Sequence, residues 1–217
     1  MQKNKFVAQT ITFVKDELAG AEAGHDYFHI ERVYKIALQI AQIEGANQEV
    51  VALAALLHDI ADYKFHEGNE SLGAQKAGEF LASIDTPEPT YNAVIDILKQ
   101  IGFKGGHQQI SQPSLELQVV QDADFLDAMG AIGIARTFNY GGFKNNLIYD
   151  PNISPNLNMS KDVYKKGGGT TINHFYEKLL RLKDKIQTST GKKMAQKRHQ
   201  FMQQYLSQFF LEWEGKV

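Results

Sequence analysis

The stretch Ala54-Ala55-Leu56-Leu57-His58-Asp59-Ile60-Ala61-Asp62 decides how this chain reads. An apolar run leads into an adjacent His and Asp, and a second Asp follows four residues after the His. Burying the run carries His58 and Asp59 toward the protein interior. Unpaired charges are costly there, so buried carboxylates and imidazoles pair with one another or bind metal. Taken alone, the pair is open between a hydrogen-bonded core pair and part of a metal site. The rest of the chain bears on the choice, because His29 upstream and Asp124 downstream sit in similar apolar settings.

Just ahead of the pair, Val50, Val51, Leu53, Ala54, Leu56 and Leu57 leave almost no polar side. That predicts a helix buried all round, the central one of the fold. Asn47 is placed to start it, and Gly45 to end the helix before. That earlier helix opens at Asp26, an N-cap residue type, and Ile30, Val33, Ala37, Ile40 and Ala41 form its core stripe. His29 and Arg32 flank the stripe. Further upstream, Phe6, Val7, Ile11, Val14 and Leu18 recur at helical spacing up to Gly20.

Downstream, Lys64 to Asn69 reads as a loop, and Ser71 as the cap of a helix with Ala77, Phe80, Leu81 and Ile84 inward. Asp85-Thr86-Pro87-Glu88-Pro89 breaks the chain. Tyr91, Val94, Ile95, Leu98 and Ile101 then mark another helix, and Gly102 to Pro113 another loop. Ser114 caps a helix carrying Asp122-Ala123-Asp124-Phe125-Leu126-Asp127, although Leu117 to Val120 alone would also suit a strand. Helix continues from Ala128 to Phe138, with a break expected at Gly130 or Gly133. Asn139 to Gly169 is rich in Gly, Asn and Pro, and a loop of that length is usually functional or disordered. Two helices close the chain, one with Ile172, Phe175, Leu179, Leu182 and Ile186 inward, the other with Met194, Ala195, Met202, Tyr205, Leu206, Phe209 and Trp213. His199, among basic neighbours, reads as a surface residue of the last. No repeat or dividing linker is evident. The expectation is one all-α domain over residues 1–217, of about eight helices, with residues 139–170 as a loop or lid within it.

Composition narrows the function. The chain has 217 residues, a net charge of −2 and no cysteine. Disulfides, thiolate metal sites and cysteine nucleophiles are excluded. The charge gives no reason to expect a nucleic-acid polymer or an anionic membrane as partner. No stretch approaches the ~20 apolar residues that span a bilayer, and the first twenty residues do not read as a signal peptide. The expected location is the cytoplasm. For assembly, sequence offers only the general frequency of symmetric homodimers.

His29, His58, Asp59 and Asp124 fall on three helices, each near an apolar stripe. Two imidazoles and two carboxylates form a nitrogen–oxygen set suited to a first-row divalent ion with open positions. An ion so held lowers the pKa of bound water and polarises a phosphoryl oxygen. Asp62, four residues after His58, would face the same way one turn along and suits proton transfer from that water. Arg32, three residues after His29, could reach a phosphate oxygen, and Lys64 is a looser candidate. The Lys192, Lys193, Lys197 and Arg198 cluster reads first as a solvated helix face. Phosphate contact is its alternative role, with Arg198 best placed. Lys165-Lys166-Gly167-Gly168-Gly169-Thr170-Thr171 lacks the residue order of a P-loop and reads as a connection before a helix.

The pattern resembles that of the HD-domain metal-dependent phosphohydrolases. His25-Asp26-x-x-His29-x-x-Arg32-Val33, Leu56-Leu57-His58-Asp59-Ile60 and Asp122-Ala123-Asp124-Phe125-Leu126-Asp127-Ala128 carry the likeness. Gly133-Ile134-Ala135-Arg136 and Ala195-x-x-Arg198-x-x-Phe201-Met202 are similar to words of small single-domain bacterial members. The resemblance implies an all-α fold and hydrolysis of a phosphoester or phosphoanhydride at a divalent metal. It assigns His29, His58, Asp59 and Asp124 as ligands, because Asp124 fills the acidic slot of the family's last word. It also matches Asp62 to a catalytic carboxylate of some members. His66 and His107 lie where two-metal members carry further His residues, but neither falls in register, so one ion is expected: Mn²⁺, Mg²⁺, Fe²⁺ or Zn²⁺.

The expected function is therefore hydrolysis of a small nucleotide or other phosphoester. A nucleoside triphosphate cleaved to monophosphate and pyrophosphate is preferred, because lysines between Lys144 and Lys166 and after Lys192 outnumber what one phosphate needs. A 5′-nucleotidase or cyclic-nucleotide phosphodiesterase is the enzymatic alternative. A non-catalytic metal- or nucleotide-binding signalling module is the alternative of another class.

Overall fold

The computed structural model describes residues 2–20, 26–60, 72–102, 113–157 and 169–217. Among the described residues the regular structure is entirely helical, as expected. Nine α-helices follow in order: α1 (Gln2–Glu17), α2 (Tyr27–Glu44), α3 (Gln48–Leu57), α4 (Leu72–Ser83), α5 (Glu88–Gly102), α6 (Leu115–Asp127), α7 (Gly130–Phe143), α8 (Asn173–Glu177) and α9 (Ser189–Trp213). A 3-10 helix, Leu179–Lys185, joins the last two. The chain forms two compact units, residues 1–123 and 124–217, and the division falls inside α6.

In the first unit α3 is the centre. Its residues Val50 to Leu57 are all buried, and it packs against α1, α2 and α5. Ten residues are too few for a stable helix in water, so burial on every side holds it. Val14 of α1, Ile30, Val33, Ala37 and Ile40 of α2, and Val94, Ile97 and Leu98 of α5 are buried apolar residues of this core. Local polar chemistry sets the ends. The Asp26 side chain accepts the His29 N–H at 3.1 Å. Gly45 adopts φ 78 and donates to the Ala41 carbonyl. The Asn47 side chain accepts from Glu49 N–H at 3.1 Å, and its backbone N–H donates to Glu116 at 2.9 Å. Ser114 caps α6 through the Leu117 N–H at 3.1 Å.

In the second unit α9 packs against α7 and the 3-10 helix. Ile172, Phe175, Leu179, Leu182, Ala195, Met202 and Leu206 are buried. Tyr205 meets both Phe175 and Phe138 with ring centroids 6.0 Å apart. Four findings here bear on the expectations from sequence, the first of them as expected. The expected break after α6 falls at Met129, with Gly130 at φ 71, so α7 is a separate helix. The stretch with Ile172 to Ile186 is not one helix, because Lys178 leaves helical geometry at φ −135 and the chain continues as 3-10. A spacing of three to four residues fits either helix type. Finally, His199 is buried, 6% exposed. It lies four residues after Ala195 and three before Met202, on the inward stripe of α9. The helix α7 also runs on to Phe143, since Gly141 packs directly on Thr171 where any Cβ would collide.

Candidate metal centre

Three of the side chains singled out by sequence come together in the first unit. His29 occupies the third position of α2, where the Asp26 cap fixes its backbone N–H. His58 stands directly at the C-terminal end of α3, and Asp59 follows it. The two imidazoles meet edge to face, ring centroids 5.3 Å apart. One ligand atom each from His29, His58 and Asp59 lies within 4.8 Å of the others. His29 and Asp59 are 2% and 7% exposed.

The donor set fits a divalent ion. Nitrogen and oxygen ligands stand ~2.0–2.2 Å from such a metal, so two on one ion are at most about 4.3 Å apart. These three need to close by no more than about half an ångström to meet that limit. The tautomer fits as well. His58 Nδ1 is 2.8 Å from the Ala55 carbonyl oxygen. A carbonyl only accepts, so Nδ1 carries the proton and donates. In the neutral ring the lone pair is then on Nε2, an atom shielded from solvent. A backbone carbonyl holding the second ring nitrogen is the usual support of a metal-binding His. The sequence carries no sign of this partner, because it is the main chain one turn back.

The remaining site residues are placed as follows. Arg32 is one turn beyond His29 on α2 and partly exposed. Asp124 is in the last turn of α6, in the second unit, and half-buried. Asp62 and Lys64 lie outside the described residues, as do His25, His66 and His107. Arg198 is on α9, and its Nη1 donates to the Leu126 carbonyl. Burial draws its guanidinium pKa down, and the neighbouring Asp127 carboxylate works against that. Asp127 is itself buried and ion-paired at 2.7 Å with Arg136 of α7. The sequence names no partner for Asp127.

The HD-domain family profile matches residues 26–129, the span from the α2 cap to the end of α6. The chain is 34% identical to the Bacillus subtilis protein YpgQ over 209 residues, covering 96% of this chain and 94% of that one. An HD-superfamily hydrolase from Bacillus thuringiensis superposes with a TM-score of 0.79 at 41% identity, over 98% of both chains. The structure of Bacillus subtilis YpgQ in complex with ADP superposes with a TM-score of 0.76 at 33% identity, over 96% of this chain and 95% of that one. The chain belongs to the HD-domain family. Among the described residues no helix is long and apolar enough to cross a membrane.

Proposed function

We propose that this protein is a divalent-metal-dependent phosphohydrolase of small nucleotides, converting a nucleoside triphosphate to its monophosphate and pyrophosphate. The observation that carries the reading is the convergence of His29, His58 and Asp59 in a buried N/O donor set. The ADP held by the related YpgQ structure supports a nucleotide as ligand, and the lysine-rich segments around Lys144–Lys166 and Lys192 support a polyphosphate. Asp124, in the slot of the family's last aspartate, is proposed as the fourth ligand. A divalent ion at these residues would supply a lowered pKa for attacking water and a polarised phosphoryl oxygen.

The chain's own groups have separate tasks. His29, His58 and Asp59 hold the donor set, with the Ala55 carbonyl fixing the His58 tautomer. Asp62 takes the proton as the water oxygen bonds to the α-phosphorus. The bond from the α-phosphorus to the oxygen bridging to the β-phosphorus breaks, and its electron pair leaves on that oxygen with pyrophosphate. Arg32 and Lys64 neutralise phosphate charge.

The test is a hydrolysis screen of nucleoside tri-, mono- and cyclic phosphates with metal-stripped protein and added Mn²⁺, Mg²⁺ or Zn²⁺. Pyrophosphate release that requires metal is expected, and Asp59→Ala should lose more than about 100-fold, the several kcal/mol a metal supplies. Release of phosphate from a monophosphate with triphosphates left intact would move the activity to a nucleotidase. Metal binding without turnover of any substrate would leave only a binding module.

A further inference from the structure

We propose that Arg198 is a positioning residue for Asp124, setting the last turn of α6. The inference rests on the reading of Asp124 as a ligand. It starts from the shared hydrogen bond that closes that turn. The final carbonyls of a helix lack intrahelical partners. Here the Ala128 N–H is divided between the Asp124 carbonyl at 3.4 Å and the Phe125 carbonyl at 3.2 Å, both longer than the ~2.9–3.0 Å common for N–H···O bonds. A shared, long bond fixes the pitch of the turn poorly, yet a ligating carboxylate has to be held to within about 0.5 Å.

Arg198 adds a constraint from 72 residues away in sequence. Its Nη1 donates to the Leu126 carbonyl, two residues after Asp124. That oxygen also accepts the Met129 N–H at 3.0 Å, so both its lone pairs are engaged. The arm of Arg198 lies across Gly130, where an added Cβ would be 3.1 Å from Cγ and 3.2 Å from Cβ of the arginine. Gly130 is thus constrained twice, by its φ of 71 and by this side chain. Arg136 also grips Asp127 at 2.7 Å. Two guanidinium groups thereby hold the turn. A guanidinium already donating to a main-chain carbonyl and facing a buried carboxylate is poorly free for a substrate phosphate.

The test is Mn²⁺ affinity, read from free-ion EPR on metal-stripped full-length protein, with far-UV circular dichroism as the fold control. Arg198→Met keeps the aliphatic arm over Gly130 and removes donor and charge. It is expected to bind Mn²⁺ about 10-fold more weakly or worse, the usual loss when a group supporting a ligand is removed. Arg198→Lys should recover part of the loss, and in turnover kcat should fall with KM little changed. Wild-type Mn²⁺ affinity in Arg198→Met with a raised KM would overturn the inference and make Arg198 a phosphate contact. If Arg198→Met does not fold, Arg198→Lys decides: a measurable loss of Mn²⁺ affinity supports positioning, and wild-type affinity refutes it. Absence of any Mn²⁺ site in the wild type, or wild-type affinity in Asp124→Ala, would instead remove the reading beneath the inference.

Discussion

Asp127→Asn isolates one charge at the corner between α6 and α7. The carboxylate is 1% exposed and its Oδ2 is 2.7 Å from Arg136 Nη1, whose side chain is 23% exposed. The amide keeps the volume and one acceptor, so packing is nearly unchanged and the loss is electrostatic. Removing one partner of a buried pair costs ~3–5 kcal/mol, because the other charge is left without compensation. Arg136 is partly hydrated, which lowers that figure toward the surface range. Arg198 works the other way, since it too faces Asp127. A loss of about 2–4 kcal/mol follows. The chain's single tryptophan, Trp213, lies in the same unit, against Tyr149 with ring centroids 5.0 Å apart. Urea unfolding followed by its fluorescence therefore reports the affected unit, and circular dichroism reports the whole chain. Adding Arg136→Met to Asp127→Asn should cost less than the sum of the two singles by about 1 kcal/mol or more, as for residues in direct contact. The loss should also be nearly independent of salt, because buried pairs are weakly screened. An Asp127→Asn protein within about 0.5 kcal/mol of wild type, the range of ordinary surface changes, would refute this account.

Two further outcomes follow from particular residues. Gly133→Ala should destabilise despite the ~1 kcal/mol helix-propensity gain: the new Cβ would sit 2.5 Å from the Ala128 carbonyl carbon, a backbone atom, and such overpacking costs ~1–3 kcal/mol; a raised urea midpoint would show the corner to be looser than described. The His174 imidazole is pushed down to about 4, first by burial and then by Lys178, so the folded state favours the neutral ring, and its contribution is full above about pH 6.5 and lost as pH falls toward about 4; His199, lowered chiefly by burial, acts in the same direction, and a stability profile over that window left unflattened by His174→Gln would count against the assignment.

The helix ends were legible where a side chain bonds its own backbone neighbours. Asp26, Asn47 and Ser114 accept from N–H groups two or three residues on, and Gly45 takes the left-handed conformation, so residue type alone located them. The buried α3 was legible because apolar residues surround it. The candidate site was legible for His29, His58 and Asp59, which adjoin the core residues Ile30, Leu57 and Ile60. What sequence did not yield depends on angles between helices. Whether Arg136 reaches Asp127 is set by the turn at Gly130. Whether Arg198 points to water or to the Leu126 carbonyl is set by how α9 lies on its neighbours. The burial of His199 is marked only by its place on the Ala195–Met202 stripe, beside the charged Lys197 and Arg198.

The all-round burial of α3 has a consequence during synthesis. Until α5 exists, the run Val50 to Leu57 has only part of its covering, since α1 and α2 come before it and α5 ends at Gly102. The ribosome must add 102 − 57 = 45 residues after α3 before that wall is complete. At ~5–20 residues per second this takes roughly 2–9 s. For that interval the nascent chain exposes a strongly apolar segment, a natural binding site for a holdase chaperone. Chains arrested with only α1 to α3 outside the ribosome should be captured by one, and chains arrested after α5 has emerged should be released.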